Sequence, residues 1–238
     1  MFVRSLFFLD KELGCLYYFF MFIEQIPVRL GELEIFSYLV ACPKTREGIV
    51  IDVAAECEKI LNKIKQRDIN LKYIVSTHGH PDHIAGNQEM KELTGAKIVL
   101  HEADVAFFNT EEAKDVFKRL GLFCLPKADI LVKDNDILEI GTLKINIIHT
   151  PGHTPGSICL YVGGNLFTGD TLFVGAVGRT DLPGGSFEQL LNSIKEKLLP
   201  LPDETIIWPG HSYEGQSSTL AREKQQNLYI TDFILGSY

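Results

Sequence analysis

The chain has 238 residues, of which 45% are hydrophobic and 23% charged, a composition typical of a folded globular protein and unlike that of disordered, collagen-like or coiled-coil chains. Its 31 acidic residues outnumber the 23 basic ones and give a formal charge of −8, which would repel a nucleic-acid backbone unless a basic stripe compensated. The sequence shows no such stripe, so we expect no nucleic-acid partner.

The first twenty residues form an apolar segment that the charged residues Asp10, Lys11 and Glu12 interrupt. Neither half reaches the roughly 20 apolar residues that a membrane span needs. One early arginine, a short apolar block and no small-residue cleavage site also fit a signal peptide poorly. We expect no stable membrane insertion. Residues 1–20 are interpreted as an N-terminal extension, with an extra packed strand or a weak membrane contact as alternatives, and residues 21–238 as a single domain.

Short β-rich runs follow the extension, and they predict the antiparallel start of a sheet: FIEQIPV, IFSYLVA and GIVIDV. Helical spacing of apolar residues then predicts a helix in AAECEKILNKIKQRDI. A buried strand is predicted in YIVST. The segment IAGNQEMKELTG predicts a helix that Gly95 closes, and KIVLH predicts another strand.

The second half of the chain repeats this alternation. A helix is predicted around 111–120, and successive strands with an Asp-Asn-Asp turn in DILVKDNDILEIGTLKINIIHT. SICLYVGGNLFTGD predicts a hairpin that turns at Gly163-Gly164. A helix in SFEQLLNSIKEKLL, a strand in TIIWPGH and a closing helix near SSTLAREKQQN complete the order. Two similar halves of strands followed by helices favour an α/β sandwich with helices on the outer faces.

The cysteines are scattered, odd in number and never paired as CxxC, the usage of reduced thiols in a cytosolic protein. We therefore predict a cytoplasmic location and interpret all five as buried bystanders: Cys15, Cys42, Cys57, Cys124 and Cys159.

The motif THGHPDH places three of the seven histidines and one aspartate in a single tight turn after a strand. Imidazole nitrogen and carboxylate oxygen suit zinc, iron or manganese. A surface loop that happens to be rich in histidine is the alternative. Three further candidates that each follow an apolar run weigh against it: His153, Asp170 and His211.

This ordered set of HxHxDH, a later histidine, an aspartate and a final histidine resembles the metallo-β-lactamase-fold hydrolases over nearly the whole chain after Met21. The resemblance implies an αββα four-layer sandwich with two metals in a cleft at one edge, and Asp82 and Asp170 as catalytic carboxylates. The implied ligands of the first metal are His78, His80 and His153. Those of the second are Asp82, His83 and His211, and Asp170 bridges the two.

A carboxylate at position 170 is a hard anionic ligand that can span two cations. Water between them would lose a proton near neutral pH, since a single zinc lowers the pKa of its water to about 7. The result is a hydroxide nucleophile without a serine or cysteine. Two divalent cations are therefore predicted as cofactors, with zinc expected and iron or manganese also suited to the donors.

Three branches of this family differ in ways that the sequence addresses. Zinc β-lactamases typically carry a cysteine where this chain has Asp170, so antibiotic hydrolysis is disfavoured. Nuclease branches usually insert a large domain between the counterparts of Asp170 and His211, and this chain does not. The segments GDTLFVGAVGRTDLPGGS and LPDETIIWPGHSY are similar to glyoxalase II-like thioesterases. Full-length enzymes of that type add a helical domain carrying glutathione contacts, whereas only residues 212–238 follow His211 here.

We therefore predict a glyoxalase II-like metallo-hydrolase that cleaves a small-molecule thioester or ester with a hydroxide held by the metals. GRTD and the tail after His211 also resemble persulfide dioxygenases, in which one iron would be held by His78, His153 and Asp170. A non-catalytic metal-binding or regulatory protein is the third alternative. The sequence contains no feature that fixes an oligomeric state.

Two further positions are candidates for substrate contact. Arg179, with Asp181, could orient a carboxylate-bearing substrate or form a buried structural pair. Tyr213 could reach a developing oxyanion, although a packed aromatic ring with a locally bonded hydroxyl is the favoured interpretation. The remaining histidines, His101 and His149, are interpreted as structural or as supports of the ligands.

Overall fold

A computed structural model of the chain describes residues 8–9, 16–17, 21–119 and 127–236. The first large sheet has six strands whose spatial order is their chain order. They are β3 (Phe22–Leu30), β4 (Leu33–Ala41), β5 (Glu47–Ile51), β6 (Asn70–Val75), β7 (Lys97–His101) and β8 (Ile130–Val132). The pairs from β3 to β5 are antiparallel, as predicted, and those from β5 to β8 are parallel. A separate antiparallel pair joins β1 (Phe8–Leu9) to β2 (Leu16–Tyr17).

The second large sheet also has six strands, again in chain order across the sheet. They are β9 (Ile137–Ile140), β10 (Leu143–His149), β11 (Ile158–Val162), β12 (Asn165–Gly169), β13 (Ile206–Pro209) and β14 (Ser218–Thr219). All neighbours are antiparallel except β12 and β13, which a helical crossover connects. The predicted hairpin between β11 and β12 turns at Gly163 and Gly164, whose φ angles of 53° and 76° suit a type I′ turn.

Helices cover the outer face of each sheet. They are α1 (Cys57–Gln66), α2 (Pro81–Ile84), α3 (Asn87–Thr94), α4 (Glu102–Phe108), α5 (Glu111–Arg119), α6 (Phe187–Ser193), α7 (Leu220–Gln226) and α8 (Leu228–Thr231). A π-helical turn over Ile194–Leu198 continues α6. None of the helices in the described part of the chain has the length and apolar character that a bilayer crossing requires.

Three hydrophobic layers hold this arrangement together, and β4 shows how the sequence builds them. Successive side chains of a strand point to opposite faces. Ile35 and Leu39 accordingly pack under α1 and α3, whereas Phe36 and Tyr38 pack against the second sheet. A third layer lies between the second sheet and α6 to α8. The order is therefore helix, sheet, sheet, helix, and the predicted αββα four-layer sandwich is confirmed.

Two helix boundaries differ from the sequence prediction. The helix predicted from Ile84 is two helices, because the chain leaves α2 at Ala85 and begins α3 only after Gly86, where a Cβ would lie 2.8 Å from the Cys57 sulfur. The predicted end at Gly95 is confirmed, with φ of 73° and its N–H bonded to Lys91. The sequence prediction also missed α4, which follows β7 directly.

Both sheets present their loops at one edge of the sandwich, and backbone hydrogen bonds join the sheets there. The Phe36 N–H donates to the Gly210 carbonyl at 2.8 Å, and the Ile158 N–H donates to the Thr77 carbonyl at 2.8 Å. Each bond connects a residue of one sheet to a loop of the other. This edge therefore has a backbone framework that fixes the positions of side chains on both loops.

The division into an extension and a single domain over 21–238 stays a prediction, since residues 1–20 lie almost entirely outside the described residues. Cys15 and Cys124 also lie outside them. Cys42, Cys57 and Cys159 are buried free thiols.

Candidate metal centre

The loop after β6 carries four of the predicted ligands. Val75 ends the strand, and His78 and His80 follow, both buried, His78 in a bend and His80 in an extended conformation. Pro81 then starts α2, because its fixed φ suits the first position of a helix. This places Asp82 in the first turn and His83 one residue later, fully buried. The short helix therefore aims Asp82 and His83 at the same edge as the two preceding histidines.

The other three predicted ligands come from the second sheet. His153 lies in the loop after β10, Asp170 directly follows β12, and His211 is two residues past the end of β13. The structure brings all seven predicted ligands together in three overlapping groups whose donor atoms lie within 4.8 Å of one another.

Two of these groups match the two predicted metal positions. In the first triad, His78, His80 and His153, the Nε2 atom of His153 lies 2.8 Å from His80 Nδ1 and 3.2 Å from His78 Nε2. The second triad consists of Asp82, His83 and His211. The Nε2 atoms of His83 and His211 are 3.2 Å apart, and Asp82 Oδ2 lies 3.5 Å from His211 Nε2. Ligand nitrogens around a tetrahedral zinc are about 3.3 Å apart, so these spacings fit a cation.

Asp170 lies between the two triads. Its Oδ1 atom is 3.3 Å from His83 Nε2, and its Oδ2 atom is 3.5 Å from His211 Nε2 and 3.7 Å from His153 Nε2. Oδ1 is buried and accepts no hydrogen bond within the described part of the chain. Gly210 makes room for this oxygen, since a Cβ there would come within 2.4 Å of it. A buried carboxylate oxygen without a hydrogen-bond donor fits a cation ligand.

The outward nitrogens of the imidazoles indicate which tautomer each ring adopts. Nδ1 of His153 bonds to the Arg179 carbonyl at 2.7 Å, and Nδ1 of His211 to the Glu34 carbonyl at 2.8 Å. Because a carbonyl can only accept, each Nδ1 carries the proton and each Nε2 presents its lone pair to the centre. Lone pairs about 3 Å apart repel one another, and a cation between them relieves that repulsion, so the donor set fits a metal.

A buried aspartate that the sequence analysis missed supports the remaining side of the site. Asp52 accepts from the N–H and the hydroxyl of Thr77 at 2.7 and 2.8 Å and from Nδ1 of His83 at 2.9 Å. The Thr77 hydroxyl in turn accepts from Nδ1 of His78 at 3.1 Å. Asp52 therefore fixes the orientation of His83 directly and that of His78 through Thr77.

Asp104 is a second missed carboxylate, fully buried in α4. It accepts from the N–H groups of Gly79 and Gly156 at 2.7 and 2.6 Å and from the Thr154 hydroxyl at 2.9 Å. Burial raises the pKa of Asp104 to about 6, although its three donors act to lower that pKa. A single Asp after a strand or inside a helix carries no spacing signal, and only its position beside a buried strand end could have indicated either residue.

The electrostatics of the cluster suit metal binding. Burial and the neighbouring histidines hold the pKa values of His78 and His80 well below the usual value, so both rings are neutral donors. Burial also acts to lower the pKa of His83, but the carboxylates of Asp170, Asp52 and Asp82 raise it to about 10. The carboxylates around His83 thus favour a positive charge at that point.

The candidate substrate residues lie at the rim. Arg179 and Asp181 form a two-pronged ion pair at 2.8 and 2.7 Å, with side chains 61% and 68% exposed, so the buried-pair interpretation is wrong. Tyr213 is 60% exposed and stacks on Phe173, 4.5 Å between centroids. Phe173 in turn lies 6.1 Å from the His211 ring. The roles of Arg179 and Tyr213 in substrate binding stay predictions.

His101 and His149 are outside both triads and stack on each other at 4.0 Å. His101 caps α4 by accepting from the Ala103 N–H, and His149 bonds to the Pro155 carbonyl at 2.8 Å. These contacts agree with the structural interpretation.

Relatives from several bacteria match the chain over most of its length. An uncharacterized protein of Aquifex aeolicus is 36% identical over 91% of this chain and 100% of its own length. The hydroxyacylglutathione hydrolase GloC of Haemophilus influenzae is 37% identical over 78% of this chain and 88% of its own. The probable metallo-hydrolase YqgX of Bacillus subtilis is 35% identical over 89% of this chain and 99% of its own.

Solved structures give the same result. The B3 metallo-beta-lactamase BLEG-1 superimposes with a TM-score of 0.78 at 31% identity, covering 88% of this chain and 100% of that one. ETHE1 from Myxococcus xanthus has a TM-score of 0.72 at 31% identity, and the match covers 87% of this chain and 84% of that one. TTHA1623 in a di-iron-bound form has a TM-score of 0.71 at 32% identity, and the match covers 86% of this chain and 99% of that one. With a B3 metallo-beta-lactamase among them, our expectation that antibiotic hydrolysis is disfavoured stays a prediction.

A family model described as the metallo-beta-lactamase superfamily matches residues 30–211, which span every predicted ligand. The His/Asp cluster is of the kind that holds two metals in this fold. The chain belongs to the metallo-beta-lactamase superfamily.

Proposed function

We propose that the protein is a metal-dependent hydrolase of the glyoxalase II-like type, which cleaves a small-molecule thioester or ester at a pair of divalent cations. The observation that carries this proposal is the position of Asp170 between two assembled triads, with Oδ1 near His83 and Oδ2 near both His211 and His153. A single cation would leave one triad of buried donors without a partner, whereas two cations use all seven side chains.

In this proposal His78, His80 and His153 hold the first cation, and Asp82, His83 and His211 hold the second. Asp170 contributes to both. When bound, such a pair lowers the pKa of a water molecule and polarises a carbonyl group. Asp82 remains ionised at neutral pH, because the charges and hydrogen bond of His83 and His211 lower its pKa against the effect of burial.

A thioester suits this site for chemical reasons. Its carbonyl is electrophilic and its thiolate leaves readily, so the residues need only orient the substrate and a water molecule. The Arg179 guanidinium at the rim supplies positive charge for a carboxylate on the substrate, while its own carbonyl holds His153. The similarity to GloC of Haemophilus influenzae supports hydroxyacylglutathione as a substrate class.

Zinc is the proposed metal, on the strength of the histidine-rich donor set. Iron is the alternative that the di-iron form of TTHA1623 supports. We further propose a cytoplasmic location, on the basis of the cysteine usage.

A mononuclear iron enzyme acting on a persulfide is the second candidate, favoured by the structural similarity to ETHE1 and by the GRTD segment. In that case His78, His153 and Asp170 would hold the iron. The assembled second triad argues for the hydrolase, because its donors converge as closely as those of the first.

Two assays on the same purified protein separate these candidates. We expect the zinc-loaded protein to hydrolyse S-lactoylglutathione, and the reaction is monitored through the glutathione thiol that hydrolysis releases. Oxygen consumption with glutathione persulfide by the iron-loaded protein, without thioester hydrolysis, would favour the second candidate. Neither activity with either metal would contradict both.

A further inference from the structure

Asp104 connects the two loops that carry the first triad. Its Oδ2 atom accepts from the N–H of Gly79, which lies between His78 and His80. The same oxygen accepts from the hydroxyl of Thr154, the residue after His153, and Oδ1 accepts from the Gly156 N–H. One carboxylate thus holds the loop after β6 and the loop after β10 at a fixed separation.

The loop after β10 packs closely against Asp104. A Cβ on Gly156 would come within 2.4 Å of the Asp104 backbone nitrogen and 2.7 Å of its carboxyl carbon, so the loop approaches α4 as closely as glycine permits. Asp104 itself is fully buried. The protein retains a buried carboxylate whose pKa burial raises to about 6, and its contacts all go to segments that flank metal ligands.

Asp52 supports ligands of both triads. It bonds directly to His83 and, through Thr77, to His78, whereas Asp104 reaches only residues that flank the first triad. The two carboxylates come from different elements, since Asp52 follows β5 and Asp104 lies in α4.

We propose that Asp104 is the positioning residue of the first triad, setting the separation of the His78–His80 loop from His153, and that it acts on the first metal position and not on the second. This inference rests on the proposed binding of two cations. It assigns the spacing of the first triad to a buried carboxylate that is not itself a predicted ligand.

The direct test measures zinc affinity at each position by competition with a chromogenic chelator. The three donors to Asp104 bond to its two carboxylate oxygens, whereas an asparagine side chain has only one accepting oxygen. At least one donor therefore loses its partner in Asp104→Asn. We expect Asp104→Asn to weaken one of the two zinc-binding steps by about 10- to 100-fold, the range measured when a support of a metal ligand is removed. The other step should be unchanged.

Double variants assign the weakened step to a position. In a His80→Ala background the first position is already lost, so adding Asp104→Asn should have no further effect on zinc affinity. In a His211→Ala background the full weakening should remain. Asp52→Asn serves as the comparison: because Asp52 bonds to His83 and, through Thr77, to His78, this substitution should weaken zinc binding in both backgrounds.

Asp129→Asn controls for the loss of a carboxylate that bonds to a backbone N–H, because Asp129 accepts from Ile98 at 2.9 Å and pairs with Lys91, away from both triads. It should leave both steps unchanged. If Asp104→Asn does not fold, Thr154→Val removes one of the three bonds and should give a smaller change in the same step.

Equal weakening of both steps, no weakening, or an effect that survives in the His80→Ala background would overturn the positioning role while leaving the proposed function intact. A wild-type protein that binds no zinc or iron would overturn both.

Discussion

Replacing Asp170 by asparagine removes the negative charge that lies between the two triads while keeping the side-chain volume. The carboxylate oxygens lie 3.3 Å from His83 Nε2, 3.5 Å from His211 Nε2 and 3.7 Å from His153 Nε2, so both metal positions lose an anionic donor. Removing a mere support of a ligand weakens binding by about 10- to 100-fold. Loss of the shared ligand should therefore weaken each position by at least about 100-fold, or about 2.7 kcal/mol.

The assay for Asp170→Asn is chelator competition for zinc, combined with the rate of S-lactoylglutathione hydrolysis. Asp203→Asn is the matched control, because Asp203 is an exposed carboxylate paired with Lys224 and is remote from the triads. We expect the control to bind zinc normally, and Asp170→Asn and Asp170→Ala to lose both occupancy and turnover by orders of magnitude. Normal zinc affinity and rate in the Asp170 variants would refute the bridging role.

Three further variants probe the framework. Gly210→Ala should lower turnover at least about tenfold, because the new Cβ would lie 2.4 Å from Asp170 Oδ1. Gly215→Ala is the control and should leave turnover unchanged, because its Cβ would have no neighbouring atom closer than 3.4 Å. Equal rates for the two variants would contradict this prediction. In the metal-free protein the pKa of Asp104 is raised from 3.8 to about 6, so its stabilising contribution is complete below pH ~4 and is lost as the pH rises through ~6. In urea unfolding, the difference in the free energy of unfolding between the wild type and Asp104→Asn should change by about 3 kcal/mol between pH ~4 and pH ~6. A difference that stays constant over this pH range would be inconsistent with the raised pKa. Tyr38→Phe removes the buried hydrogen bond to the Pro209 carbonyl and should lower the free energy of unfolding by about 1–3 kcal/mol with unchanged zinc content.

The fold and the ligand set were accessible from the sequence because both depend on local patterns. A short β-rich apolar run predicted β4, and a glycine suited to the αL conformation predicted the end of α3 at Gly95. The spacing of THGHPDH concentrates four donors in one turn, and the other three donors follow apolar runs. Metal ligands need fixed residue types at fixed places in the fold, so their order along the chain carries the signal.

The supporting residues were not accessible for the opposite reason. Asp52 and Asp104 act through contacts with residues 25 to 52 positions away. Neither has a spacing that distinguishes it from a surface aspartate, and only its position near the end of a buried strand is a signal. The alternative of a buried Arg179–Asp181 pair was wrong for a similar reason, because nothing in GRTD indicates that the ion pair is exposed. Burial is a property of the assembled loops and not of the local sequence.

The most direct test of the dinuclear centre is elemental analysis of the protein after saturation with zinc, and separately with iron, followed by dialysis. We predict about two ions per chain in the wild type and about one when His78 is replaced by alanine, because both the first triad and the alternative set of His78, His153 and Asp170 then lose a histidine, whereas the second triad stays complete. At most one ion per chain in the wild type, under either metal, would contradict the account.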